Sequence, residues 1–329
     1  MRVLVVGANG QLGARCCGKL MSSGHTVRAV VRTSQRGERV ASMGAEVVLG
    51  DLRAPDGLRD HLAGVDAVVI TANPVVPRTG DDPAAVEAGL IRLLDGAATS
   101  GVRRVVLASL PDPGVPNPPP MVVARRRLEQ HVLERVPESV IPRFPPFMEV
   151  WIALVGSSIP LRGEKFATLG RPSPFLRLYR KGTATVVEDR GLMLVPGSPD
   201  IRNAFIAIDD VADVCVRAVE DPALGGRIVD VAGPEVLTWR DVAATYQQVL
   251  GRPVRILSTP APVYAAAAAA LRPFATIASN TMALNHFIAT TETNWPNAGG
   301  GILDPREMTT LREFLTAKAA LPAELPTVR

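Results

Sequence analysis

The chain has 329 residues, 47% of them hydrophobic and 21% charged, with 36 basic and 32 acidic side chains and a net charge of +4. Those proportions describe a globular protein able to bury one large or two ordinary cores, and they exclude a disordered or fibrous chain. Both signs of charge are spread along the sequence and aromatic residues make up only 4%, so the basic stripe and stacking platforms of a nucleic-acid binder are missing.

The first 145 residues alternate short β-rich runs, "RVLVVG", "TVRAVVR", "AEVVLGD", "DAVVITA", "RRVVLAS" and "ESVIPRF", with segments of helical period such as Leu90, Leu93, Leu94 and Ala97. Strands nearly continuous in Val, Leu and Ile and separated by helices predict a parallel sheet covered on both faces, a Rossmann-type doubly wound α/β domain. From about residue 156 the alternation stops, and a stretch rich in Pro, Gly and charge with weak strands follows, a substrate-facing excursion. "NAFIAIDDVADVCVRAVEDP" restores a strand and a helix capped by Asp209 or Asp210, and "GGRIVDVAG" adds a further strand. "LTWRDVAATYQQVLG" predicts a helix capped by Thr238 with Asp241 three residues on and stopped by Gly251. The expected division is a nucleotide-binding domain over 1–155, completed by 201–233, and a smaller, mainly C-terminal substrate-binding region over 156–200 and 234–329.

Cys16, Cys17 and Cys215 offer neither a metal spacing nor a disulfide framework, so no metal is expected and a reducing cytoplasm is the expected compartment. The apolar run Val3 to Val6 is too short for a signal-peptide core. "APVYAAAAAALRPFATIASNTMALNHF" (261–287) is broken by Arg272 and Pro273, and reads as buried or interfacial helices rather than a membrane span.

"VLVVGANGQLGARCC" carries the binding signal. Gly7 permits a tight turn, Gly10 lets the backbone approach a pyrophosphate, and Gly13 lets the helix pack on the strand; the anion then sits at the helix N-terminus. Asn9, Gln11 and Leu12 lie in the same turn and are grouped with the coenzyme-binding residues. Where the second strand ends, an acid would bind the ribose hydroxyls of NAD; the chain has Arg32 there, with Arg36 close behind. A guanidinium pairs a 2′-phosphate, so NADP is favoured over NAD.

These glycines, "VVR" at 30–32, "GDL" at 50–52, "FIAIDDVAD" at 205–213, "VAGPEVLTWRDVAATYQQVLGRPV" at 231–254 and "TTLREFL" at 309–315 together resemble the NmrA-like group of atypical short-chain dehydrogenase/reductases. The resemblance implies that Asp51 and Leu52 flank the adenine, that Thr71, Ala72 and Asn73 line the path to the nicotinamide ribose, and that Pro145 and Phe147 lie near the ring. Reductases of the wider superfamily place a Ser after the fifth strand and a Tyr-x-x-x-Lys in the next helix. Ser109 matches the serine, Met121 stands at the tyrosine position and has no proton to give, and Arg125 stands at the lysine position. Arg125 is therefore expected to face the coenzyme, and Arg126 and Arg127 to lie on other faces of the helix as solvated charges.

The implied activity is an NADP-dependent oxidoreductase acting on a small hydrophobic carbonyl, quinone or conjugated alkene. Two alternatives stay open: an NADP-binding redox sensor without turnover, and an isomerase or lyase of the same fold. Neither nucleic acid nor membrane is expected as a partner, and the sequence leaves monomer and homodimer both open.

Overall fold

The computed structural model describes residues 1–54, 57–72, 82–112, 120–164, 166–170, 174–293, 295 and 297–323. In chain order the elements are β1 (Arg2–Val6), α1 (Gln11–Ser22), β2 (Thr26–Val31), α2 (Ser34–Ala41), β3 (Glu46–Leu49), β4 (Ala67–Ile70), α3 (Pro83–Thr99), β5 (Arg104–Leu107), α4 (Pro120–Arg135) and β6 (Ile141–Arg143). There follow α5 (Met148–Leu154), α6 (Pro174–Thr183), α7 (Val186–Arg190), β7 (Leu192–Pro196), β8 (Arg202–Asn203), α8 (Ile208–Glu220), β9 (Ile228–Asp230) and β10 (Leu237–Thr238). The last are α9 (Trp239–Leu250), β11 (Arg255–Thr259), α10 (Ala261–Leu271), α11 (Thr276–Thr290) and α12 (Leu311–Ala319).

Met1–Asp112, Pro120–Phe144 and Asp209–Val231 form one compact unit; Pro145–Ile208 and the described residues from Ala232 onward form a second. The first unit is the doubly wound α/β fold that the sequence predicts. Five parallel strands pair in the order β3-β2-β1-β4-β5. The sheet continues past β5: Val140 N–H donates to Val105 O at 2.9 Å, Leu107 N–H to Val140 O at 3.0 Å and Ser109 N–H to Pro142 O at 2.8 Å, and β9 pairs in parallel with β6. From β1 the chain runs outward to β2 and β3, then returns to the other side of β1 to lay down β4. The switch point is thus between β1 and β4, and ligands of open α/β sheets bind beyond the carboxyl ends of the strands at such a point. Leu4, Val6, Ile70 and Leu107 from the strands, Leu90 and Leu94 from α3, and Leu128 and Val132 from α4 share one buried core.

The second unit has its own core, in which Phe205 and Trp239 stack with ring centroids 5.2 Å apart and Tyr246 donates its hydroxyl to Ile152 O at 3.0 Å. β7 pairs in parallel with β11, and β8 pairs antiparallel with β10. The helix predicted after Thr238 forms as expected. Thr238 accepts the Asp241 N–H at 3.2 Å, the Asp241 carboxylate accepts the Thr238 N–H at 2.8 Å, and Gly251 ends the helix at φ 65°.

Several expectations are corrected. The stretch from 156 to 200 is not a set of weak strands, since α6 and α7 form there before β7. Of the strand expected in "NAFIAI" only Asn203 lies in a strand, the two-residue β8, with an isolated bridge between Ile206 and Phe147. Asp209 and Asp210 do not cap α8, because that helix starts one residue earlier, at Ile208. The Glu149 carboxylate accepts the Ile208 N–H at 3.0 and 3.1 Å, while Asp209 pairs with Lys19 at 2.8 Å. The alanine run forms α10, which has no buried residue. Among the described residues no helix is long and apolar enough to cross a membrane.

Candidate functional site

The three glycines between β1 and α1 do three different things. Gly7 has φ 90°, a conformation that strains any other residue. Its carbonyl accepts the Gly10 N–H at 2.8 Å and closes the turn. Gly13, in the first turn of α1, lies so near that a Cβ on it would overlap the same carbonyl. Gly10 is the exception: a Cβ there would meet only Gly7 O, at 3.1 Å, and otherwise open space. α1 begins at Gly10 with no side-chain cap and no acidic residue in its first turn, which leaves the positive end of the helix to an anion. Beside it, the Asn9 amide oxygen is buried with no hydrogen-bond partner among the described residues. Gln11 and Leu12 are buried, and Gln11 O accepts from Arg15 Nη1 at 3.1 Å.

Thr71 and Ala72 fasten the end of β4 to the end of β1. Their N–H groups reach Val6 O at 3.0 and 3.2 Å, and the Thr71 hydroxyl donates to the same oxygen at 3.1 Å. Asn73 lies outside the described residues. At the end of β2, Arg32 and Arg36 are both half-buried, and α2 has no acid in its first turn. At the end of β3, the Asp51 carboxylate is gripped by Arg53, whose Nε lies 3.1 Å from both oxygens. That hydrogen bond first, and the Arg32 charge in addition, hold the Asp51 carboxyl below the usual range.

A second cluster sits at the carboxyl end of β5. Arg125, only 4% exposed, donates from one nitrogen to Ala108 O, just past the strand, while its Nε and Nη1 are buried without a partner among the described residues. Burial pulls its pKa down to about 10, which still leaves it a cation at neutral pH. The Ser109 hydroxyl donates to Glu129, a carboxylate 1% exposed on α4 that also accepts from Arg126 and, at 2.7 Å, from Arg143 Nη2. Burial alone raises the Glu129 carboxyl, but the hydrogen bonds from Arg143, Ser109 and Arg126 outweigh it, and the net shift is downward.

The stretch from residue 7 to residue 134, which spans the glycine turn and α4, matches the NAD(P)H-binding family. The chain is 26% identical over 259 residues to the NAD(P)H azoreductase of Xenophilus azovorans, covering 78% of this chain and 76% of the azoreductase. It is 29% identical over 254 residues to the (4-alkanoyl-5-oxo-2,5-dihydrofuran-3-yl)methyl phosphate reductase of Streptomyces griseus, covering 77% and 75%. Its fold is that of the Citrobacter sp. triphenylmethane reductase complexed with NADP(H), with a TM-score of 0.71 over 97% of this chain and 100% of the other at 16% identity. The chain is an NAD(P)H-dependent oxidoreductase, and the resemblance to the NmrA-like reductases is borne out.

In this NAD(P)H-binding oxidoreductase the residues singled out from the sequence fall into distinct groups. Gly7, Asn9, Gly10, Gln11, Leu12, Gly13, Thr71 and Ala72 come together at the switch point. Arg32, Arg36 and Asp51 gather at the ends of β2 and β3. Leu52 packs partly buried on the core, and its carbonyl occupies the space that a side chain on Gly89 would need. Pro145 is buried and Phe147 is half-buried at the N-terminus of α5, both in the second unit. Met121 is half-buried in the first turn of α4.

Arg126 is corrected: it is not a solvated charge, because it donates to Glu129 and to the carbonyls of Leu110 and, at 2.8 Å, Pro111. Of the three arginines only Arg127 is exposed. Glu129 was missed by the sequence reading. The signal available was its helical spacing, three residues after Arg126 and four after Arg125, a pairing distance on a helix. Its third donor, Arg143, comes from another strand, and no local spacing announces that.

Two outcomes follow for the turn. Gly13→Ala should lower stability by about 1–3 kcal/mol, because α1 must back away from β1. Gly10→Val should leave stability nearly unchanged and abolish nucleotide binding. Urea unfolding and NADPH fluorescence titration measure the two effects; unaltered NADPH affinity in Gly10→Val would remove the phosphate-loop assignment.

For Glu129, removing the carboxylate strands two guanidinium groups, so Glu129→Ala should cost about 3–5 kcal/mol. The folded carboxyl titrates below its unfolded value, so its contribution is present above the ordinary carboxylate range and is lost as pH falls through the lowered value. Glu129→Gln should lack that acid-sensitive component. Unfolding midpoints measured from pH 7 down to pH 3 check this, and parallel curves for the two proteins would refute it.

Proposed function

We propose that the chain is an NADP-dependent reductase that delivers hydride to a small hydrophobic carbonyl, quinone or conjugated alkene, without a tyrosine acid. The observation that carries the choice of coenzyme is the end of β2, where half-buried Arg32 and Arg36 stand and α2 has no acid in its first turn. A 2′-phosphate finds charge-assisted donors there. The uncapped start of α1 and the open side of Gly10 suit the pyrophosphate.

When bound, the reduced nicotinamide supplies the hydride. The protein's own part is to bind and orient. Among the described residues Arg125 has two buried donors without partners at the carboxyl end of β5, and hydroxyl oxygens of the nicotinamide ribose are the acceptors they suit. With a pKa of about 10 it remains protonated at neutral pH and acts as an anchor rather than a general acid. Ser109 is committed to Glu129 and serves the same framework. Met121 contributes shape and no proton. The proton that completes the reduction therefore comes from water or from the substrate. The triphenylmethane reductase that shares the fold is named for an aromatic substrate, which supports an apolar acceptor here.

Loss of reduced-nicotinamide absorbance against a panel of quinones, enones and aromatic ketones tests the activity. Turnover is the expected outcome. Tight NADPH binding with no turnover across the panel would replace this reading with that of a redox sensor.

Two substitutions probe the residues. Arg32→Asp should weaken NADPH far more than NADH, because it deletes a cation and places like charge beside the 2′-phosphate; equal losses in the two fluorescence titrations would show that Arg32 does not read the phosphate. Arg125→Ala should raise the NADPH dissociation constant by about 10-fold to 100-fold, the worth of one charged hydrogen bond. Met121→Ala should leave that constant unchanged and alter only KM. Turnover abolished by Met121→Ala would overturn the assignment of α4.

A further inference from the structure

Inside the second unit lies a cavity of about 160 Å3. Its walls hold Trp151, Trp239, Tyr179 and Tyr264, two of the three tryptophans and two of the three tyrosines in a chain only 4% aromatic. Leu154 and Leu194 add apolar surface, Thr259 and Asn285 add polar atoms, and no charged side chain lines it. The walls are drawn from α5, α6, β7, α9, β11, α10 and α11, so the aromatic enrichment is not the packing of one element against its neighbour.

The chemistry of these walls restricts the occupant in three ways. An ionised ligand is excluded, since an unpaired charge in an uncharged cavity is heavily penalised. Indole and phenol faces favour another ring, offset-stacked or edge-on. Size sets the third limit: an engineered cavity of about 150 Å3 takes up benzene, so this one accommodates a single ring with a small substituent. Among the polar groups, the Tyr179 hydroxyl is already committed to Leu154 O and burial pushes its pKa to about 12, so it stays a neutral phenol. Asn285 donates its Nδ2 to Thr281 O at 2.9 Å, and its Oδ1 takes no hydrogen bond from the described residues. That leaves an amide oxygen among the lining groups able to accept a hydroxyl proton.

We propose that this cavity is a binding site for a neutral single-ring aromatic carrying a hydroxyl group, a simple phenol. Binding requires neither the coenzyme nor turnover, so it stands or falls apart from the reductase reading.

The probe is 4-fluorophenol, followed by fluorine NMR on the full chain without coenzyme at a pH where the phenol is neutral. The expected result is a saturable shift or broadening, displaced by 4-methylphenol and not by the anion 4-hydroxybenzoate. Leu194→Trp should fill the cavity and weaken 4-fluorophenol by at least about 10-fold. Leu194→Ala should enlarge it and admit 1-naphthol, which the native protein rejects. Unaltered near-UV circular dichroism and urea unfolding curves of both variants should show that the second unit remains folded. Absence of saturable binding, equal displacement by 4-hydroxybenzoate, or affinity that survives Leu194→Trp while 1-naphthol is still rejected by Leu194→Ala would each overturn the proposal.

Discussion

The carbonyl of Gly7 is the point on which the nucleotide end of the molecule depends. It accepts the Gly10 N–H, it occupies the space a Gly13 side chain would need, and the Thr71 hydroxyl lies 3.4 Å from it. β1, α1 and the end of β4 are therefore drawn together around one peptide group. Three different glycine requirements meet there: a positive φ at Gly7, a close approach at Gly13, and an open face at Gly10. The first two are satisfied within the protein. The third has the weakest internal reason, since a Cβ on Gly10 would press only on Gly7 O, at 3.1 Å, and otherwise meet open space. The glycine that the fold itself needs least is the one most directly tied to a ligand, and it sits on a helix end with no side-chain cap.

The other constraint is electrostatic, and it separates neighbours on α4. Arg126 and Arg143 share a carboxylate that is almost completely buried, so their charge is compensated inside the protein. Arg125, one residue before Arg126, is more deeply buried and has a single backbone acceptor among the described residues. A buried donor left unpaired costs about 1–3 kcal/mol, and Arg125 carries two. Glu129 moderates that cost through its charge without touching Arg125, since its field is among the influences that raise the Arg125 pKa against burial. In the proposed reading the coenzyme provides the missing acceptors. A fold that tolerates such a cost in its ligand-free form gains it back as differential affinity for the bound state.

What was legible in the sequence follows from how local each signal is. The strands of the first unit are runs of buried Val, Leu and Ile bounded by glycines and polar residues, so their positions and parallel arrangement could be read directly. The glycine turn is a backbone requirement met by spacing alone, and the Thr238–Asp241 box is an interaction between residues three apart. Reading failed where a tertiary partner decides the outcome. Asp209 looked like a cap until Glu149, from a distant helix, took the Ile208 N–H. Arg126 looked solvated until Glu129 and the carbonyls past β5 enclosed it. Glu129 carries no local sign of burial, because one of its partners, Arg143, comes from β6 fourteen residues on.

The same distinction explains why the coenzyme half announces itself and the substrate half does not. Pyrophosphate is recognised by backbone N–H groups, whose positions need a short, fixed glycine spacing that recurs wherever the turn is built. An apolar organic molecule is recognised by side-chain surface, which any sufficiently large residue can supply from any element that reaches the cavity. In the second unit the four aromatic walls lie on four separate helices, α5, α6, α9 and α10, with no spacing between them that sequence could preserve as a motif. Only the rarity of aromatic residues in this chain makes their convergence informative: with tryptophan and tyrosine so scarce, their collection around one uncharged cavity is a feature of composition that becomes visible only in three dimensions. The binding chemistry of that unit is thus encoded in where the chain spends its few aromatic side chains, rather than in any contiguous stretch of sequence.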